Sequence, residues 1–259
     1  SGAGGVNDSS ENFIAHCWKS GASQSNEAGS INTTNQIVSS TTNFSISKFT
    51  GTGANATVGH GLSGVDFLIL KHTDATSTST PVWHKGLANS TTGYLYLDKD
   101  NAEATSSTAW NSTAPSSTLV SLGSSSTFNA SSQVYYLYCW KSVVGFSDFG
   151  HFTGTGSATT SYINVGFKPS LLWIKRKNST GGWFVYDRQR DTFNDADTQL
   201  ELDENLAETS GSEEIAFLSN GFSCRTSDAG INASSALYVY CAWAESPFGG
   251  EDVSAATAV

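Results

Sequence analysis

The stretch Tyr135-Tyr136-Leu137-Tyr138-Cys139-Trp140-Lys141-Ser142 decides the fold. Successive side chains of a strand point to opposite faces, so Leu137 and Cys139 share one face and Tyr136, Tyr138 and Trp140 the other. The same phrase returns as Leu237-Tyr238-Val239-Tyr240-Cys241-Ala242-Trp243, with Val239 and Cys241 opposed to Tyr238 and Tyr240. It stands a third time as Phe13-Ile14-Ala15-His16-Cys17-Trp18-Lys19-Ser20. Aligned on the cysteines, Cys17, Cys139 and Cys241 hold equivalent places, and His16 fills the position of Tyr138 and Tyr240.

Working outward from this strand, a long internal repeat emerges. Phe49-Thr50-Gly51-Thr52-Gly53 recurs as Phe152-Thr153-Gly154-Thr155-Gly156, and Phe67-Leu68-Ile69-Leu70-Lys71 matches Leu171-Leu172-Trp173-Ile174-Lys175. Trp83 then answers Trp183. Leu97-Asp98 with Ala102-Glu103 answers Leu202-Asp203 with Ala207-Glu208, and Phe128-Asn129-Ala130-Ser131-Ser132 answers Ile231-Asn232-Ala233-Ser234-Ser235. The order is kept and the offset stays between 100 and 105 residues. Residues 1–20 are therefore expected to be the closing strand of an upstream copy, and the polar residues 21–42 a linker or extended arm. Copy 1 spans 43–143, copy 2 spans 144–250, and 251–259 form a C-terminal tail. The join near Val144 is short, which predicts that the two copies pack closely.

Within each copy, short runs rich in Val, Ile, Leu, Tyr, Phe and Trp are bounded by Gly, Asn, Ser and Thr, the mark of strands and turns. The continuous apolar runs at 65–71 and 170–176 predict strands buried on both faces. Asp100 to Thr105 and Glu204 to Thr209 each read as one short helical turn, and no other segment suggests helix. The expected fold is all-β: two tandem antiparallel β-sandwiches of the jelly-roll kind.

Composition narrows the function. Charged residues are only 14 % of the chain, with 25 Gly and Ser plus Thr at about a quarter. The net charge of -10 disfavours partners that attract Lys and Arg, so neither nucleic acid nor an anionic membrane is expected. No apolar run reaches the length that spans a bilayer. A chain that starts at Ser1 and holds 0 Met is expected to be a processed product or a fragment. Of the 4 Cys, none forms a C-x-x-C pair, which leaves zinc and thioredoxin-like chemistry without support. Free core thiols are expected, with Cys224 and Cys241 the one pair placed in a single copy.

Several residue groups carry possible chemistry. Glu201-Leu202-Asp203-Glu204 resembles the E-x-D-x-E strand of concanavalin-like glycoside hydrolases, which sets paired carboxylates on one face. Position 205 is Asn, however, and copy 1 has Tyr96 in place of Glu201, so no catalytic residue is expected. The histidines His16, His60, His72, His84 and His151 show no H-x-x-H or H-E-x-x-H spacing. Asp195, Asp197 and Asp203 supply the oxygen ligands calcium prefers, but loop carboxylates are commonly just solvated, so no metal and no cofactor is expected. The densest aromatic and polar cluster is Trp183, Tyr186, Asp187, Arg188 and Arg190. Sugars stack on aromatic faces while charged groups hold their hydroxyls, which makes this the candidate glycan site. The same residues also read as a strand end with Trp183 in the core and Asp187 paired to an arginine.

The blocks FTGTG, VGFKPSLLWIKRKNSTGGWFVYDRQRD, LAETS, FLSNGF and INASSALYVYCAWAESPF resemble a repeat domain of marine bacteriophage and cyanophage virion proteins, often labelled tail fibre or structural protein. Copy 1 carries the variant blocks ATVGHGL, YLYLDKDNAEATSSTAWNSTAP and YYLYCWKSVVGFSDFG. The resemblance covers residues 43–250. It implies a concanavalin A-like β-sandwich and a place on the virion surface outside the cell; it does not imply an enzyme, and none is expected. The expected partners are other copies of the chain and other virion proteins, with a host surface glycan as the alternative ligand of a carbohydrate-binding module.

Overall fold

A computed structural model describes residues 13–73 and 79–244, without the side chains of 212–214. The chain is all-β and its sheets are antiparallel. Two strands precede copy 1: β1 (Ser23–Gln24) and β2 (Asn35–Ser39). Copy 1 follows with β3 (Phe44–Thr50), β4 (Ala56–Gly59), β5 (Phe67–His72), β6 (Pro81–His84), β7 (Gly93–Tyr96), β8 (Ala104–Thr105) and β9 (Leu119–Leu122). A single helical turn, α1 (Ser126–Asn129), leads to the closing strand β10 (Val134–Trp140). Copy 2 contains β11 (Ser147–Thr153), β12 (Ile163–Asn164), β13 (Pro169–Arg176), β14 (Trp183–Asp187), β15 (Ala196–Glu201), β16 (Thr209–Leu218), β17 (Gly221–Cys224) and β18 (Leu237–Ala244).

Both copies repeat one strand order. Copy 1 runs β3-β10-β5-β6-β7-β8 with β4 paired to β9; copy 2 runs β11-β18-β13-β14-β15-β16, continuing to β17 and β12. The repeated turn explains why. The buried Asn129 accepts the Thr52 N–H at 2.9 Å and donates to the Ala54 carbonyl at 2.6 Å. Asn232 accepts the Thr155 N–H at 2.8 Å and donates to the Ser157 carbonyl at 3.1 Å. A Cβ at Gly51 or Gly154 would lie 2.2 Å from the carbonyl oxygen of Ala130 or Ala233, so only glycine fits this crossing.

The ladder registers correct two alignments made on the sequence. Tyr135 pairs with Phe49 and Tyr238 with Phe152. Their hydroxyls accept the Ala130 and Ala233 N–H groups at 2.8 and 2.9 Å. Tyr135 therefore matches Tyr238, Trp140 matches Trp243, and Cys139 matches Ala242, so Cys139 and Cys241 lie on opposite faces of their sheets. Likewise Leu68 pairs with Trp83 and Leu172 with Tyr186, so the counterpart of Trp83 is Tyr186. Trp183 pairs with Lys175 and belongs to the other face.

Three further expectations change. Residues 13–20, expected as a closing strand, form no strand. Residues 21–42, read as a linker or extended arm, supply β1 and β2, which extend the copy 1 sheet beyond β3; Gln36 is fully buried and donates to the Gly59 carbonyl at 2.9 Å. Neither 100–105 nor 204–209 is helical. The Glu103 carboxylate instead accepts the Ala88 and Asn89 N–H groups at 2.9 and 3.0 Å, which holds that segment extended.

Two apolar clusters form. One lies inside copy 2, between the face carrying Leu172, Ile174, Tyr238 and Tyr240 and the layer of Ile215, Phe217 and Phe222. The other fills copy 1 and continues without a break into Phe149, Trp173, Trp183, Val239 and Trp243 of copy 2. The copy 2 sheet is thus covered on both faces, and β13 and β18 are buried along most of their lengths. This is the close packing of copies that the short join predicts.

Candidate functional site

The predicted glycan cluster is built into the fold. Trp183 is fully buried and its indole N–H donates to the Tyr96 carbonyl at 2.7 Å. Tyr186 is also fully buried, and its hydroxyl donates to Gln199 at 3.0 Å. Neither ring offers a free face for a sugar to stack on. Asp187 accepts the Arg190 Nε–H at 2.6 Å and the N–H groups of Gln189 and Arg190 at 3.0 Å. Burial alone would raise its pKa; the nearby His16 and the Arg190 guanidinium outweigh burial and hold it well below the usual carboxylate range. Arg190 also reaches the Val185 carbonyl at 2.9 Å and Glu208 at 3.3 Å, while Arg188 donates to the Thr192 carbonyl at 3.3 Å.

The carboxylate candidates are similarly engaged. Asp203 accepts the Trp183 N–H at 2.7 Å, and Asp195 lies 3.7 Å from Arg225. Among the described residues no group of three His, Cys, Asp or Glu side chains is placed to hold a metal ion. Glu201 has its pKa raised by burial and by its neighbours Asp203 and Glu204. All four cysteines are free, with Cys17 exposed and the other three buried.

The seam between the copies gathers what the sequence reading missed. Phe67 packs on Phe149 and Trp173 at 5.6 and 6.2 Å between ring centroids. His84 is fully buried and donates from Nε2 to the Tyr240 carbonyl at 3.0 Å, while its Nδ1 accepts the Gly86 N–H at 2.9 Å. That pairing requires the neutral ring, and burial holds its pKa down at about 3. Lys175, also buried, donates to the Asp100 and Asn101 carbonyls at 3.1 and 3.0 Å. Burial pushes its pKa down to about 8 against the opposing pull of Asp203 and Asp100.

Beside the seam lies a cleft of about 590 Å³, lined by Trp18, Tyr138, Trp140 and Trp173 together with Lys71 and Asp98. It shares Ile46 and Tyr138 with a second groove of about 470 Å³ that reaches Lys48 and Tyr136. The indole N–H groups of Trp140 and Trp173 are buried without an acceptor among the described residues. The sequence signal for this place was the tryptophan that ends each closing strand, which alignment on the cysteines hid.

No curated protein and no solved structure matches the chain. One family model, described as Domain of unknown function (DUF7483), matches residues 1–247, and the chain belongs to that family.

Proposed function

We propose that the chain is a non-enzymatic structural or adhesion component of a phage particle, a part of a tail fibre or surface decoration, folded as two tandem jelly-roll sandwiches of the concanavalin A-like kind. The observation that supports this reading most is the unbroken aromatic core across both copies. The groups that could do chemistry serve as joints: His84 and Lys175 tie one copy to the other, and Asp187 and Asp203 anchor backbone and arginine. A surface rich in hydroxyls and poor in charge suits an extracellular particle surface that must stay hydrated without attracting polyions. Placement on a virion rests on the sequence resemblance.

Immunogold labelling of intact particles with antibody raised against the folded chain tests this. Regular labelling of the particle exterior is the expected outcome. Particles without label, or polysaccharide turnover by the purified chain that is lost in Glu201→Gln, would overturn it. A host glycan retained by the chain favours the carbohydrate-binding reading, and retention lost in Tyr138→Ala would place that ligand in the open cleft.

A further inference from the structure

The register that matches Trp140 to Trp243 also assigns Trp18, since Cys17-Trp18-Lys19-Ser20 repeats Cys139-Trp140-Lys141-Ser142. These three tryptophans, one from each occurrence of the closing motif, meet in the seam. Trp18 lies 5.6 Å from Trp140 at 69°, and 5.5 Å from Trp243 at 65°. Trp140 lies 6.5 Å from Trp243 at 70°. Three equivalent rings in three like edge-on contacts are what a local three-fold axis produces.

The contacts around that axis run head to tail. Copy 1 sets His84 against the Tyr240 backbone of copy 2. In the shared register His84 corresponds to Asp187, because Phe67 pairs with His84 and Leu171 with Asp187. Tyr240 corresponds to Ala15. Copy 2 accordingly sets Asp187 beside the 13–20 segment, with His16 Nε2 at 4.0 Å from its carboxylate. Head-to-tail contacts of this kind close into a ring when the rotation closes.

The remaining contact of such a ring falls on copy 1. In copy 2, Val239, Cys241 and Lys175 are fully buried beneath copy 1. Their counterparts are Tyr136, Tyr138 and Lys71. The two tyrosines are only half-buried and Lys71 is exposed, donating to Thr80 Oγ1 at 3.1 Å where Lys175 reaches two carbonyls of a neighbouring loop. The cleft and its adjoining groove lie on this face, beside the unaccepted indole N–H groups of Trp140 and Trp173. Buried donors are almost always satisfied in native proteins.

We propose that this face of β3, β10 and β5 seats a third unit of the same repeat, the unit whose closing strand is residues 13–20, completing a three-membered ring around Trp18, Trp140 and Trp243. Its loop corresponding to 97–103 covers Lys71 as that of copy 1 covers Lys175, and residues 13–20 gain strand neighbours within it. The inference is independent of where the chain acts.

Lysine acetylation with an N-hydroxysuccinimide ester, read by mass spectrometry on the full polypeptide as its gene encodes it, tests the proposal without any variant. The expected result is that Lys71 reacts at least tenfold more slowly than exposed Lys99, near the rate of Lys175, in a monomer at every concentration. Lys71 reacting as fast as Lys99 overturns it. So does protection that appears only on concentration-dependent association, which would make a second chain the occupant, or only on adding a polysaccharide. A gene whose product carries no repeat unit ahead of residue 13 overturns it as well.

Discussion

His84 is a neutral ring locked between two backbones, and this gives the protein a pH signature. Its folded pKa of about 3 lies below the ordinary value of 6.5. As pH falls through 6.5 the unfolded chain therefore binds the proton first, and stability drains away down to about pH 3, by about 5 kcal/mol. The expected observation is a melting temperature that falls steeply between pH 6.5 and 4, with a shallower fall in His84→Gln, which keeps an amide donor but cannot titrate. Equal slopes would show that His84 is not buried as described. Residue chemistry of this kind was largely hidden in the sequence. His84 carries no motif, and its burial comes from a strand 156 positions away. Lys71 and Lys175 end matching apolar runs, yet one is exposed and the other buried because only one has a copy lying over it. The pairing of Asp187 with an arginine, by contrast, was readable from their spacing.

At the scale of elements, the repeated turn is the most informative unit. Asn129 and Asn232 each tie their own FTGTG loop to the closing segment from a fully buried position. Replacing either by Ala removes the acceptor of the Thr52 or Thr155 N–H, at a cost of about 2–3 kcal/mol. The two single variants are expected to lose similar stability in urea titrations. A loss at one site with none at the other would contradict the equivalence of the copies. The turns, the strand runs and their order were legible because Gly, Asn and alternation act locally. The register of the closing strands was not, since it is set by where a tyrosine hydroxyl finds a backbone N–H five residues earlier, while the cysteines that guided the alignment make no such demand. Trp83 and Trp183 were confused because an odd shift, here of three residues along the strand, moves a side chain to the opposite face: one faces the interior of copy 1 and the other the seam.

At the scale of the molecule, the seam makes two repeats into one body. Trp243 sits among Trp18, Trp140, Phe149 and Trp173 and is nearly fully buried. Trp243→Ala is expected to cost about 3–5 kcal/mol. It should also split a single thermal transition into two as the copies part, whereas a simple downward shift of one transition would place the coupling elsewhere. Duplication and close packing could be anticipated from the repeat and the short join, but which faces meet could not, because both faces of the copy 2 sheet are apolar. Native-state hydrogen exchange in increasing urea is the most direct measurement. If the copies share one core, the slowest amides of β10 and β18 will exchange through a common opening with the same free energy and the same urea dependence. Amides of β10 that exchange through a separate, lower-energy opening while β18 stays protected would contradict the account.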